Sequence, residues 1–245
     1  QSAGNLSGVH DHFSRAINRA RASLGAGSYA EAMVGVFEAE LHYEWDDLAG
    51  AETLLQQHRQ VIEECGLVVH EMACKLNLAK LAASKGNDDE ALIILEAAER
   101  QGLKTRYRRL FASALDERVR LLLLRGDVPA ARLALKSRGI DEVNITDNTA
   151  TRLATEPEHM AMARLLTAEG RPELAMPILD RLANRLRLDG RMQRLAKVRA
   201  LSAVAAFQSG DALSALAAVV DAVSICAPHG AVRSLVDEGS QFQDV

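Results

Sequence analysis

The side chains able to do chemistry are scattered through this 245-residue chain and form no recognised motif. Of its seven histidines, His10 and His12 form a His-x-His pair, while His42, His58, His70, His159 and His229 stand apart. A zinc hydrolase sets two imidazoles one helical turn apart around a glutamate base, as in HExxH, and no such stretch occurs. There is no Cys/His cluster either, so no metal ligand is assigned. No GxSxG turn exposes a serine nucleophile, and no Gly-x-x-x-x-Gly-Lys-Ser/Thr loop cradles phosphates. The neighbouring carboxylates Asp46-Asp47 and Asp88-Asp89-Glu90 fall where helices begin. There a carboxylate caps free N–H groups and meets the positive end of the helix dipole, which accounts for them without acid–base work. Cys65, Cys74 and Cys226 are odd in number and lack CxxC spacing, which reads as reduced, buried thiols. No catalytic residue is assigned, and the chain is read as a non-enzyme.

What remains is charge. Lys plus Arg is 29 and Asp plus Glu 33, a net charge of -4 that argues against a dominant nucleic-acid-binding surface. Hydrophobic residues make up 48% of the chain, which excludes a disordered polymer. Aromatics are only 4%, and abundant Ala and Leu favour helix over sheet. Continuous apolar runs such as Ala203 to Phe207 and Ala215 to Val220 are too short to cross a bilayer. The N-terminus lacks a basic segment followed by an apolar one, so no signal peptide is read and a cytoplasmic location is expected.

Any charged site must therefore be assembled by the elements that carry it, and these repeat. Turn signals recur at Gly4-Asn5, Asp46-Asp47, Gly86-Asn87, Gly126-Asp127, Gly170-Arg171 and Gly210-Asp211, spaced by 42, 40, 40, 44 and 40 residues. Gly ends one helix in the left-handed conformation, and the Asp or Asn after it caps the next. Small residues keep a fixed distance from each turn: Ala39, Ala79, Val119, Ala163 and Ala203 before it, and Ala51, Ala91, Ala131, Ala175 and Ala215 after it. Leu55, Leu95, Leu135 and Leu179 follow in register. The spacing predicts antiparallel helix pairs, with A helices at roughly 28–44, 68–85, 107–125, 156–169 and 192–209. The B helices fall at roughly 8–24, 48–65, 88–101, 128–137, 172–188 and 212–226, and a last helix at about 230–237. One pair cannot bury its apolar face alone, so pairs stack. The expected fold is all-α, a right-handed superhelix of about six TPR-like pairs. Residues 139–155 read as a loop, and Pro177 should kink or shorten its helix.

In such a stack the A helices line the concave groove. Six residues before each turn they carry Glu40, Lys80, Arg120, Arg164 and Val204. Asp116 lies ten before its turn and Tyr43 three before. Lys80, Arg120 and Arg164 form a basic ladder able to hold a carboxylate or phosphate by charge-assisted hydrogen bonds. Glu40 and Asp116 are placed to pair with these cations or to bind hydroxyls, and Tyr43 to stack on a ring. With few aromatics and several cations, the groove favours an anionic or amphipathic effector over a neutral oligosaccharide. The cluster Arg106, Arg108 and Arg109 is read as contacting Glu99 or another domain.

Three stretches resemble one family. They are His42-Tyr43-Glu44-Trp45-Asp46-Asp47-Leu48, then Glu156-Pro157-Glu158-His159 with Ala163-Arg164-Leu165-Leu166 and Gly170-Arg171-Pro172, and finally Ala227-Pro228-His229-Gly230 running to Leu235-Val236-Asp237-Glu238-Gly239. The period exceeds the roughly 34 residues of ordinary tetratricopeptide repeats. Together these features resemble the helical-repeat sensor region of MalT-type regulators, the large ATP-binding members of the LuxR group. The resemblance implies a region that recognises an inducer and takes part in self-association. It also implies a nucleotide-binding module on one side and a helix-turn-helix DNA-binding domain on the other. On this reading residues 1–238 are one repeat domain with an incomplete first repeat, and 239–245 begin a linker to the DNA-binding domain. ATP and DNA are then expected to be bound by those other parts of the parent, and neither cofactor, nucleic acid nor membrane by this one. The alternative is a scaffold holding a peptide or partner domain in the same groove. A narrow channel with convergent polar groups would favour a small molecule, and an open groove with an apolar stripe a peptide.

Overall fold

A computed structural model describes residues 6–147, 155–239, 242 and 245. The Gly4-Asn5 turn signal, residues 148–154 of the expected loop and most of the expected linker lie outside the described residues. Among those residues the regular elements are α-helices and one 3₁₀ turn, with no strand. α1 (Leu6–Leu24) is the B helix of the first repeat. Five pairs follow: α2 (Tyr29–Glu44) with α3 (Leu48–Cys65), α4 (Val68–Ser84) with α5 (Asp88–Lys104), and α6 (Arg108–Leu124) with α7 (Val128–Lys136). After the short α8 (Glu142–Asp147) come α9 (Glu156–Ala168) with α10 (Pro172–Leu188), and α11 (Met192–Gln208) with α12 (Ala212–Cys226). A 3₁₀ turn (Ala227–His229) leads into α13 (Arg233–Val236).

The turns work as their residues require. Gly86, Gly126, Gly170 and Gly210 all take positive φ, and Asp46, at the equivalent position between α2 and α3, takes φ 65. Side chains of Asp47, Asp127 and Asp211 accept the N–H of Gly50, Ala130 and Ser214 and so cap the B helices. The small residues of the repeat, Ala39, Ala79, Val119, Ala163 and Ala203, are all within 1% of complete burial. With no bulk at these positions, A and B helices approach closely enough for Leu55, Leu95, Leu135 and Leu179 to fill the space between them.

Four expectations are corrected. The stretch after Gly139 is not all loop: Asp141 accepts the N–H of Asn144 and starts α8. Pro177 does not shorten α10, which runs to Leu188; it lies in the second turn, where the one N–H it removes would have gone to Glu173. Cys65 is exposed, whereas Cys74 and Cys226 are buried, and all three are free. Finally, Ala212–His229 does reach the length and mean hydropathy (1.6) of a bilayer-crossing helix. No unbroken apolar run signals it, because Ser214, Asp221 and Ser224 interrupt the segment. Here its Ala215, Ala218, Ala222 and Cys226 are buried while Asp221 pairs with Arg187 and Arg199.

The stack then closes on itself. Leu6 of α1 and Leu41 of α2 form one apolar cluster with Ala196, Cys226 and Ala231 from the far end of the stack, and Trp45 and Leu235 pack against it. Trp45 Nε1 donates to the carbonyl of His229 at 3.0 Å. Gly230, at φ 63, presents no side chain there, and the Trp45 ring lies 3.5 Å from where a Cβ would stand. The superhelix is thus sealed by an apolar seam, and its concave side becomes a channel enclosed by A helices.

Candidate functional site

The channel is a layer of charge set between apolar helices. Glu44, the last residue of α2, is buried and receives Lys197 Nζ from α11 at 3.2 Å and the Ser234 hydroxyl at 2.6 Å. Burial pushes the Glu44 carboxyl up, but Lys197 and Lys80 outweigh it and hold the group below the usual carboxylate range. Glu117 on α6 bonds Arg120 Nε at 2.9 Å and is likewise held low, with Arg120, Lys80 and Lys197 overcoming its desolvation. Arg164 on α9 is gripped from two sides. Its Nη1 meets Asp116, and its Nε and Nη2 donate to Glu238 at 3.2 and 2.7 Å. Burial pushes Asp116 up to about 6, against the pull of Arg164. Arg164 itself stays cationic because Asp116 and Glu238 outweigh its own desolvation.

The C-terminal segment supplies Arg233, Ser234, Asp237 and Glu238 to this layer. Arg120 Nη1 donates to the Asp237 carbonyl at 2.7 Å, and the buried Tyr43 hydroxyl donates to the Asp237 carboxylate at 2.9 Å. Burial first, then the Asp237 charge, raises the Tyr43 phenol far above its ordinary range. Arg233 reaches back to Asp46 at 2.9 Å and lies over the Tyr43 ring at 5.2 Å. Residues 233–238 thus plug the channel near the C-terminal ends of the A helices, and Asp46 holds its strained φ in a position where its carboxylate receives Arg233. The three stretches singled out in the sequence converge here: Tyr43 to Asp46 from the first, Arg164 from the second, Asp237 and Glu238 from the third.

Beside the N-terminal halves of α6 and α11 the channel stays open as a cavity of about 320 Å³, walled also by α4 and the C-terminal half of α2. Phe37, Val69, Leu76 and Leu110 give it apolar surface, and Arg109 and Arg194 stand among them. Glu44, Lys80, Asp116, Glu117 and Lys197 line the same cavity from the charge layer. On the other side of that layer Arg120, Arg164 and Glu238 line a smaller cavity of about 110 Å³ with Leu201 and Val204.

All six sequence-selected residues face this channel, in different states. Glu40 lines the open cavity with no ion-pair partner among the described residues. Lys80 lines it too, with its ammonium 5.7 Å over the Tyr43 ring. Asp116 joins cavity to plug through Arg164. Arg120 and Arg164 are not open rungs of a ladder, because the plug and the acids of α6 already occupy them. Tyr43 offers no stacking face, being 1% exposed and bonded to Asp237. Glu44, Glu117, Lys197, Asp237 and Glu238 also line or plug the channel, but they lie off the repeat offsets that mark the groove in the sequence. The basic cluster is also corrected: Glu99 is paired with Arg118 and Arg138, while Arg108 reaches Glu158.

A superhelical stack of TPR-like helix pairs wrapped round a polar channel defines a helical-repeat domain of the sensing or scaffold kind. The sequence matches the MalT-like TPR region over residues 1–245, and the chain belongs to that family. The serine/threonine-protein kinases PknK of Mycobacterium tuberculosis (strains H37Rv and CDC 1551) and Mycobacterium bovis are 29% identical to it over 222 residues, 89% of this chain. The chain spans 19% of their length. The crystal structure of BtubC (BKLC) from P. vanneervenii superposes with a TM-score of 0.54 at 17% identity, covering 91% of each chain, which is a likeness of fold.

Proposed function

We propose that this region is the effector-sensing and oligomerisation domain of a bacterial transcriptional activator of the LuxR group, and that a small-molecule inducer binds in the channel. One observation carries the reading: the concave side is a closed channel with convergent polar groups, not an open groove with an apolar stripe. A cavity of about 320 Å³ suits a small metabolite and is too confined for a peptide. Its cations and apolar walls select an anionic, amphipathic effector, bound by Arg109, Arg194 and Lys80 against Phe37 and Leu110. Such a ligand would redistribute the charges of Glu44, Glu117 and Asp116, each one step from the plug. Inducer binding thereby shifts the population between plugged and released C-terminal segments, and with it the disposition of whatever follows. ATP binding and DNA binding belong, on this reading, to other parts of the parent, which works in the cytoplasm. The part played by this region is non-catalytic.

The test is a thermal-shift and calorimetric screen of organic acids, aromatic acids, phosphorylated metabolites and sugars. The expected hit is an anion whose affinity falls tenfold or more in Arg109→Ala and in Lys80→Met. Binding undisturbed by both substitutions would sink the assignment of the cavity. A partner protein or long peptide as the sole ligand would transfer the role to a scaffold.

A further inference from the structure

We propose that His10, Glu38 and His42 form a binding site for a divalent transition metal of the zinc class, clamping α1 onto α2. Far apart in sequence, His10 and the pair Glu38/His42 are brought together because α1 packs on α2. Glu38 and His42 stand one turn apart on the same face of α2. One ligand atom from each of the three lies within 4.8 Å of the other two.

The local chemistry is that of a metal site. His10 Nδ1 is 3.2 Å from Glu38 Oε1 and screened from solvent, yet no hydrogen bond aligns it. Two donor atoms brought together without a proton shared between them are what a cation bridging them requires. Zinc at about 2.1 Å from each ligand sets neighbouring ligands roughly 3.4 Å apart, which this pair already satisfies. His42 Nδ1 is held by Asp47 Oδ2 at 2.7 Å, which fixes the ring and leaves Nε2 for the metal; metal-ligating histidines usually have such an outer carboxylate. Ser14 Oγ similarly holds Glu38 Oε1 at 3.2 Å. Trp45 stands edge-on to both imidazoles, with ring centroids 5.3 and 5.9 Å away, and forms an apolar wall. Glu38 is buried, but His10 and His42 are 35% and 23% exposed at the side chain, so a metal has a way in and room for water in the remaining positions. Two imidazoles and one carboxylate suit Zn²⁺, Co²⁺ or Ni²⁺ and not Ca²⁺ or Mg²⁺. Because Trp45 also packs on the closing seam, the metal would brace the ring at its joint.

The experiment uses the whole 245-residue chain, without a histidine tag and dialysed metal-free. Titration with Co²⁺ should give one equivalent with visible d–d absorption, displaced by Zn²⁺. Saturating Zn²⁺, at about a hundredfold over Kd, should raise Tm by about 5 °C. His10→Ala and Glu38→Gln should abolish the absorption, while His12→Ala, on the exposed face of α1, should keep it. Absence of the Co²⁺ spectrum in the wild type, or its survival in both ligand variants, overturns the proposal. X-ray absorption at the zinc edge of the wild type needs no variant to fold. Two imidazoles and a carboxylate are expected, and a sulfur ligand, which the exposed Cys65 could supply, would overturn the assignment equally.

Discussion

Replacing Arg164 by Ala tests whether the C-terminal plug is held by charge. Arg164 is 8% exposed and joins Asp116, 3% exposed, to Glu238, 9% exposed. Removing one partner of a buried pair costs about 3–5 kcal/mol, because a charge is left without compensation. The two orphaned acids respond differently. Glu238 lies near the end of the plug and can swing into water. Asp116 is fixed on α6 and can escape only by taking up a proton, toward which burial already drives it. The penalty should therefore be smaller at pH 5 than at pH 8. A chain of 245 residues unfolds with an entropy of about 0.5 kcal/mol/K, so the expected fall in Tm near pH 8 is about 6–10 °C. Hydrogen exchange should quicken over residues 231–238 while α9 keeps its protection. Glu238→Ala alone should cost less, since Arg164 retains Asp116, and the double variant should be little worse than Arg164→Ala, giving a coupling of about 1–2 kcal/mol. A Tm within 2 °C of the wild type at pH 8, or additive effects of the two substitutions, would refute the charge-held plug.

Two further outcomes follow from the same layer and its seam. Glu44 and Glu117 are held low in the folded chain, so they contribute stability above their ordinary value of 4.5 that is lost as pH falls below it. Asp116, raised to about 6, has the opposite sign: its contribution is full below 3.8 and is lost as pH rises through 6. His58, held below its ordinary value by burial, instead adds to the stability lost as pH falls below 6.5. The comparison is therefore between wild type and Asp116→Asn, whose urea-melt pH profiles should diverge between pH 4 and 7 and run parallel below. Leu41→Ala should cost about 2–4 kcal/mol from the seam. It should also open the ring, seen as a larger radius of gyration by small-angle scattering; an unchanged radius with the same loss of stability would mean that the seam packs but does not close.

Most of the fold was legible because the chain repeats. Gly or Asp at each turn, a small residue seven before it and another five after it are local requirements of a helix pair, so periodicity alone places the helix boundaries within a few residues. α8 was not legible, since a capping Asp141 over six residues leaves no period to detect. The exposure of Cys65 escaped for a related reason: it is the last residue of α3, where the buried face has already turned away. The membrane-length hydropathy of the last B helix was hidden by isolated polar residues, of which only Asp221 carries a charge.

The site was half legible, and the missing half has a physical cause. Offsets from the turn find residues that face the concave side, because that orientation repeats with the helix. They cannot find partners, because partners are fixed by curvature, the sum of small rotations between repeats. Lys197 meets Glu44 only because α11 returns to α2 after one circuit, and Glu238 meets Arg164 only because the chain turns inward after Gly230. Charge gave a warning, however. A ladder of Lys80, Arg120 and Arg164 on a closing wall would repel itself unless acids were delivered to it. The acids at the end of the third family-like stretch, Asp237 and Glu238, had no helix face of their own to serve. In the folded chain those acids meet the buried bases of the wall, whereas Arg109, exposed at the open cavity, and Lys80 beside it have no carboxylate partner among the described residues and stand available to a ligand.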